Sequence, residues 1–125
     1  TGLFHTARLE GASNWLRREL QRIKLDKCEI PVIKNINGEE YDENDNMVDI
    51  LAKHVMSPVK FRKSIETMLN LGIDTFVEIG PGKTLSGFVK KVCKERNIEV
   101  NVLNIEDVET LENALRILKS TKTIK

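Results

Sequence analysis

Aromatic residues are scarce in this 125-residue chain: 5% of positions are Phe, Trp or Tyr, with one Trp and one Tyr. That scarcity argues against a platform of rings on which single-stranded nucleic acid could stack. Net charge is only +1, so no broad field of one sign draws in nucleic acid or a membrane surface. No apolar run approaches the roughly 20 residues that a spanning helix needs, and no signal-peptide pattern opens the chain. The two cysteines, Cys28 and Cys93, lie far apart without CxxC or Cys/His ligand spacing, which leaves no basis for a zinc site. The expectation is two reduced thiols packed in a cytoplasmic protein, with no metal and no cofactor. Internal repeats and low-complexity tracts are also lacking. What is present, 40% hydrophobic and 31% charged residues, suits about one globular domain with a real core.

Apolar spacing sets out the elements. Leu9, Ala12, Leu16, Leu20 and Ile23 recur at helical intervals, predicting a helix over residues 8–23 with Trp15 at a core edge. The run Ile30-Pro31-Val32-Ile33 before the turn-prone Asn37-Gly38 predicts a buried strand. The acidic turn at 42–45 suits a helix start, where carboxylates meet the positive end of the dipole; Met47, Ile50, Leu51 and Val55 form that helix's apolar face. Ser57-Pro58 ends it, because the residue before proline is pushed away from helical geometry. Phe61, Ile65, Met68 and Leu69 predict the next helix, closed by Gly72. Residues 75–79 and 98–105 read as strands, with a helix lined by Leu85, Phe88, Val89 and Val92 between them. A last helix follows through Val108, Leu111, Leu115 and Leu118. Strands alternating with helices predict parallel pairing.

Two motifs fail on spacing. Gly80-Pro81-Gly82-Lys83-Thr84 suggests a phosphate loop, but that loop needs glycine at the position of Val77. A tight strand-to-helix turn is the plainer reading, with the alternative of a loop lining a ligand cleft. Ser86 is no nucleophile elbow, because Thr84 and Phe88 stand where G-x-S-x-G demands glycine; Ser13, Ser57, Ser64 and Ser120 lack flanking glycines too. The candidate for chemistry is His5, one residue after Phe4 and just ahead of an amphipathic helix. It reads as a general base without a nucleophile, or as an ordinary polar histidine. His54 reads as a residue near a helix end. Lys60, Arg62, Lys63, Lys90 and Lys91 read as a solvated face, or as a docking surface for an acidic partner. With the base at the very start, no initiator Met and no serine to match, the expectation is the carboxy-terminal piece of a larger enzyme.

Taken in order, the blocks Gly-Leu-Phe-His-Thr at 2–6, Pro-Val-x-x-Asn-x-x-Gly at 31–38, Ser-Pro-Val-x-Phe at 57–61 and Glu-Ile-Gly-Pro-Gly-Lys-x-Leu-x-Gly-Phe at 78–88 resemble the carboxy-terminal part of malonyl-CoA:acyl carrier protein transacylases. The resemblance runs unbroken to about Cys93 and more loosely beyond. It implies an α/β fold: the three-layer, parallel-sheet portion of an α/β-hydrolase-like acyltransferase domain, without the upstream strands and the ferredoxin-like small domain. Residues 1–120 would be the carboxy-terminal part of that large domain and 121–125 a disordered tail. The implied activity is S-malonyltransfer from malonyl-CoA to the acyl carrier protein thiol in fatty acid biosynthesis, through an acyl-serine not on this chain. The chain alone would then be inactive, and the amino-terminal remainder carrying the serine becomes a partner. By position, His5 is the histidine of the Ser-His dyad. His54 stands where glutamine is usual and would orient His5 through its backbone carbonyl. Phe4 would bind on the substrate side, since phenylalanine before the histidine accompanies malonyl rather than methylmalonyl use. Neither nucleic acid nor membrane is implied. Two other readings are a fragment of a polyketide synthase acyltransferase domain and a non-catalytic α/β interaction piece.

Overall fold

The computed structural model of the protein describes residues 4–122, so Gly2 and Leu3 of the first block and residues 123–125 of the expected tail lie outside the described residues. The chain divides into two compact units, Thr1–Thr67 and Met68–Lys125.

The first unit opens with a 3-10 turn at Ala7–Leu9 that runs into helix α1, Glu10–Leu20; helix α2 spans Met47–Met56. The face that α1 turns inward is centred on Ser13, only 2% exposed, whose hydroxyl donates to the carbonyl of the fully buried Ala52 at 2.5 Å. Two small residues meeting there let the helices approach closely. The predicted stripe was drawn slightly off this line: Ala12 is exposed, Trp15 is exposed rather than at a core edge, and the helix stops before Ile23. Arg17 pairs with Asp49 across the same helix pair. Asn46, not the acidic turn, caps α2 by accepting from the Asp49 amide at 3.1 Å. Ser57 ends it in extended geometry, as the following proline dictates.

The buried strand expected at 30–33 is not formed. Ile30 is 77% exposed, and the segment makes a single antiparallel bridge between Ile33 and Glu40. Pro31 has no N–H to give a ladder, and the backbone folds back at once: Lys34 N–H donates to Glu39 O, Gly38 N–H to Lys34 O and Tyr41 N–H to Val32 O. Gly38 sits at φ +71°, where a side chain would lie 2.4 Å from Lys63 Cγ, so only glycine fits. Thr67, on helix α3 (Phe61–Asn70), donates its hydroxyl to the Gly38 carbonyl at 2.5 Å and fixes the hairpin from below. Lys34 is buried, with its ammonium 2.8 Å from Asp45.

The second unit begins in the last turn of α3, which closes with a paired cap: Gly72 N–H reaches Leu69 O and Ile73 N–H reaches Met68 O, with Gly72 at φ +85°. Strands β1, Thr75–Ile79, and β2, Asn101–Ile105, pair in parallel with Thr75 opposite Asn101 and Ile79 opposite Ile105. Helix α4, Thr84–Glu95, connects them and packs on both; α5, Val108–Lys122, packs on β2. The second strand is therefore shorter than the 98–105 run suggested. The reason is local: 97 and 98 are spent ending α4, where Asn97 takes φ +54° and its N–H and that of Ile98 bond back to Lys94 and Cys93 carbonyls. Phe76, Val89, Val92, Cys93 and Ala114 form the apolar interior. Ile79, Val108 and Leu115 remain exposed, as do Leu85 and Phe88 of the predicted α4 stripe. The unit is thus an α/β layer built on a two-stranded parallel sheet among the described residues, in keeping with the partial α/β, parallel-sheet domain that was expected. Cys93 is buried but Cys28 is exposed, so only one of the two free thiols is packed.

Candidate functional site

His5 lies in a turn just ahead of Ala7–Leu9, with φ at +58°. A non-glycine residue held in left-handed geometry stores on the order of 1–3 kcal/mol, a cost met only where surrounding contacts over-determine it. Two such contacts come from the end of α2: the His5 N–H donates to Val55 O at 3.1 Å, and its Nδ1 lies 2.9 Å from His54 O. The last carbonyls of a helix have no intrahelical partner, and His54 O uses that vacancy to accept from both Ser57 N–H and the imidazole.

That arrangement decides the tautomer. A carbonyl oxygen can only accept, so Nδ1 must carry hydrogen, and the neutral ring then keeps its lone pair at Nε2. A ring with its position fixed at one nitrogen and a lone pair at the other is the arrangement a general base requires. The negative end of the α2 dipole also suits a ring that becomes cationic on accepting a proton. Phe4, the preceding residue, is largely exposed.

The structure therefore brings His5 and His54 together, through main chain on the His54 side. The two rings are also neighbours, with centroids 4.9 Å apart and planes tilted by 31°. Burial, and then the adjacent His5, push the His54 imidazole below its ordinary value of 6.5. Asn35, from the Pro-Val-x-x-Asn block, places its Nδ2 3.1 Å from His54 Nε2. Sequence reasoning did not assign a role to Asn35; its fixed place in the Pro-Val-x-x-Asn-x-x-Gly block was the visible sign.

Four of the five serines are committed elsewhere. Ser13 donates to Ala52 O, Ser57 to Lys53 O, Ser64 to Lys60 O and Ser86 to the Glu78 carboxylate. None of these bonds involves a histidine.

The 80–84 segment is a tight turn, with Gly80 at φ +139° and Gly82 at φ +82°. Lys83 gives α4 no side-chain cap. Glu78, at the end of β1, does so instead, accepting from Leu85 N–H at 3.2 Å, Ser86 N–H at 2.8 Å and Ser86 Oγ at 2.5 Å. The hydroxyl and amide of Ser86 hold the Glu78 carboxyl below its usual range. Glu106 takes the Gly82 N–H in the same way. First-turn amides that could meet a phosphate are already bonded to the chain's own carboxylates, which explains why a glycine-rich strand-to-helix turn here is not a phosphate loop. The absence of Ser, Thr, Asp or Asn at position 83 was the clue that the cap must come from elsewhere.

Among the described residues no group of three or more His, Cys, Asp or Glu could hold a metal ion, and no helix is long and apolar enough to cross a membrane.

No family model matches the chain. Individual relatives do. The malonyl CoA-acyl carrier protein transacylase of Bacillus subtilis is 35% identical over 119 residues, 95% of this chain and 36% of the relative. The crystal structure of the malonyl CoA-acyl carrier protein transacylase from Clostridium perfringens superposes with a TM-score of 0.89 at 44% identity, over 97% of this chain and 37% of that one. The structure of MCAT from Streptococcus pneumoniae gives a TM-score of 0.83 at 35% identity, over 93% and 36%. The chain spans about a third of the length of the relatives it matches. In sequence and in fold alike, it is similar to about one third of each of these transacylases.

Proposed function

We infer that the chain supplies the general base of an [acyl-carrier-protein] S-malonyltransferase, with residues 1–120 forming the carboxy-terminal part of its large domain. The observation that carries this reading is the 2.9 Å contact between His5 Nδ1 and His54 O, which leaves Nε2 as the proton-accepting atom. In the first half-reaction Nε2 takes the proton of a serine hydroxyl carried by the amino-terminal remainder of the enzyme. The serine oxygen attacks the thioester carbonyl of malonyl-CoA, the C–S bond breaks, and the imidazolium returns its proton to the coenzyme A sulfur. In the second, Nε2 takes the proton of the acyl carrier protein thiol. Its sulfur attacks the malonyl-serine ester, and the departing serine oxygen recovers the proton. Atoms and charge balance without cofactor or metal. Phe4 lies beside the reacting centre on the substrate side, where its ring favours malonyl over a substrate with one more methyl, a discrimination worth about 1–3 kcal/mol. The enzyme works in the cytoplasm, with neither nucleic acid nor membrane as a partner.

His5→Ala in the full-length enzyme should lower malonyl transfer by about 10²–10⁴-fold, the usual contribution of a positioned base. An unchanged rate removes His5 from the chemistry. The 125-residue chain alone, incubated with malonyl-CoA, should gain no malonyl mass; a stable adduct would place a nucleophile on this chain.

A further inference from the structure

His54 offers the site a side chain as well as a carbonyl. The Asn35 amide nitrogen can only donate, so His54 Nε2, 3.1 Å away, must accept, and its proton sits on Nδ1. A protonated His54 would carry hydrogen on both nitrogens and face Asn35 donor to donor. The Asn35 main chain is anchored, its backbone carbonyl accepting from Lys60 N–H at 2.8 Å. The charges on the surrounding elements are occupied or turned outward: Arg17 of α1 is paired with Asp49, Lys34 beside Asn35 with Asp45, and Arg8, Glu10 and Lys53 are exposed. The titratable group that acts on the His54 ring through its charge is His5. Burial and that neighbour both favour the neutral ring.

We propose that the His54 ring is a positioning residue for His5: neutral and gripped by Asn35, it holds the His5 ring on the end of α2, and on taking a proton it loses Asn35 and repels the base. The proposal rests on His5 being the base of the transfer. It requires both rings to be neutral in the working enzyme. The acid side of the kcat/KM profile should then depend on two protons, its logarithmic slope reaching two only where both have been taken up, because neighbouring groups of like charge accept their protons in two steps.

The test uses the full-length enzyme, with malonyl-CoA and acyl carrier protein as substrates. His54→Gln keeps the backbone carbonyl and an acceptor for Asn35 but cannot be protonated; the slope should fall from two to one. Asn35→Asp replaces the donor with a carboxylate that accepts from Nε2–H and favours imidazolium, so the pH of half-maximal activity should rise by about one unit. Nitrogen-15 spectra at pH 8 should show His54 as the Nδ1–H tautomer, a readout that does not need turnover. If His5→Ala leaves transfer intact, the assignment of the base fails. If His5→Ala silences transfer while wild type already has a slope of one, or Asn35→Asp leaves the profile unmoved, or the spectra show the Nε2–H tautomer, the base stands and the role of the His54 ring is overturned.

Discussion

The two units of the chain solve the same problem, satisfying polar groups around a tight backbone, with a different emphasis. In the first unit neutral donors reach backbone carbonyls: Ser13 to Ala52, Thr67 to Gly38, His5 to His54. In the second, carboxylates collect amides: Glu78 takes those of Leu85 and Ser86, Glu106 that of Gly82 and Asp107 that of Thr110. The fully buried apolar residues of the first are few, Ala52 and Ile65, whereas the second spreads its interior over five. The difference teaches where each can change. The carbonyl-bound His5 and His54 make the first unit sensitive to ring protonation, while the carboxylate contacts of either unit persist to more acid conditions.

Removing Ile65 should expose the contrast most strongly. Ile65→Ala leaves a void at a completely buried position and should cost about 2–5 kcal/mol by urea denaturation. Val89→Ala in the second unit deletes less volume and should cost less; equal losses would break the comparison. The glycines give the next largest effect. Gly38→Ala combines left-handed strain with a collision against Lys63 and should cost about 2–4 kcal/mol. Gly72→Ala, at φ +85° but with nothing within 4 Å of the added carbon, should cost only the strain, about 1–2 kcal/mol.

Acid should separate the units more gently. His54 is depressed below its ordinary 6.5, so the stability its neutral ring contributes is complete above that value and is lost as pH falls through its folded-state titration. Glu78 and Asp107 are depressed from 4.5 and 3.8, so their contributions persist until pH falls below those values. Between pH 7 and 5, amide protection factors should drop around α2 and His5 while α4 and α5 keep theirs. Simultaneous loss in both units would contradict this.

Much of the fold was legible because it was local. The faces of α2 and α3, the proline stop after Ser57, the glycine at 72 and the strand at 75–79 each follow from residues within a turn of one another. What the sequence hid was set by partners distant along the chain. Ile33 reads as strand until Pro31 and the 34–39 fold-back remove its ladder. Ser13 reads as a polar interruption until Ala52 arrives to accept its hydroxyl. Leu85 and Phe88 read as core, yet the buried face of α4 passes through Ser86, Val89 and Cys93 because Glu78 draws Ser86 inward. At the candidate site His5 stood out in the first motif block and His54 through the resemblance, but the Asn35 bond to His54 joins residues 19 positions apart and is set by the fold.

An anchor supplied by a carbonyl cannot be deleted by changing which amino acid bears it. A change of side chain at position 54 removes whatever the ring contributes but leaves in place the oxygen that meets the imidazole Nδ1. To cut the tether itself one would have to alter the polymer, for instance by displacing the helix end that presents the oxygen.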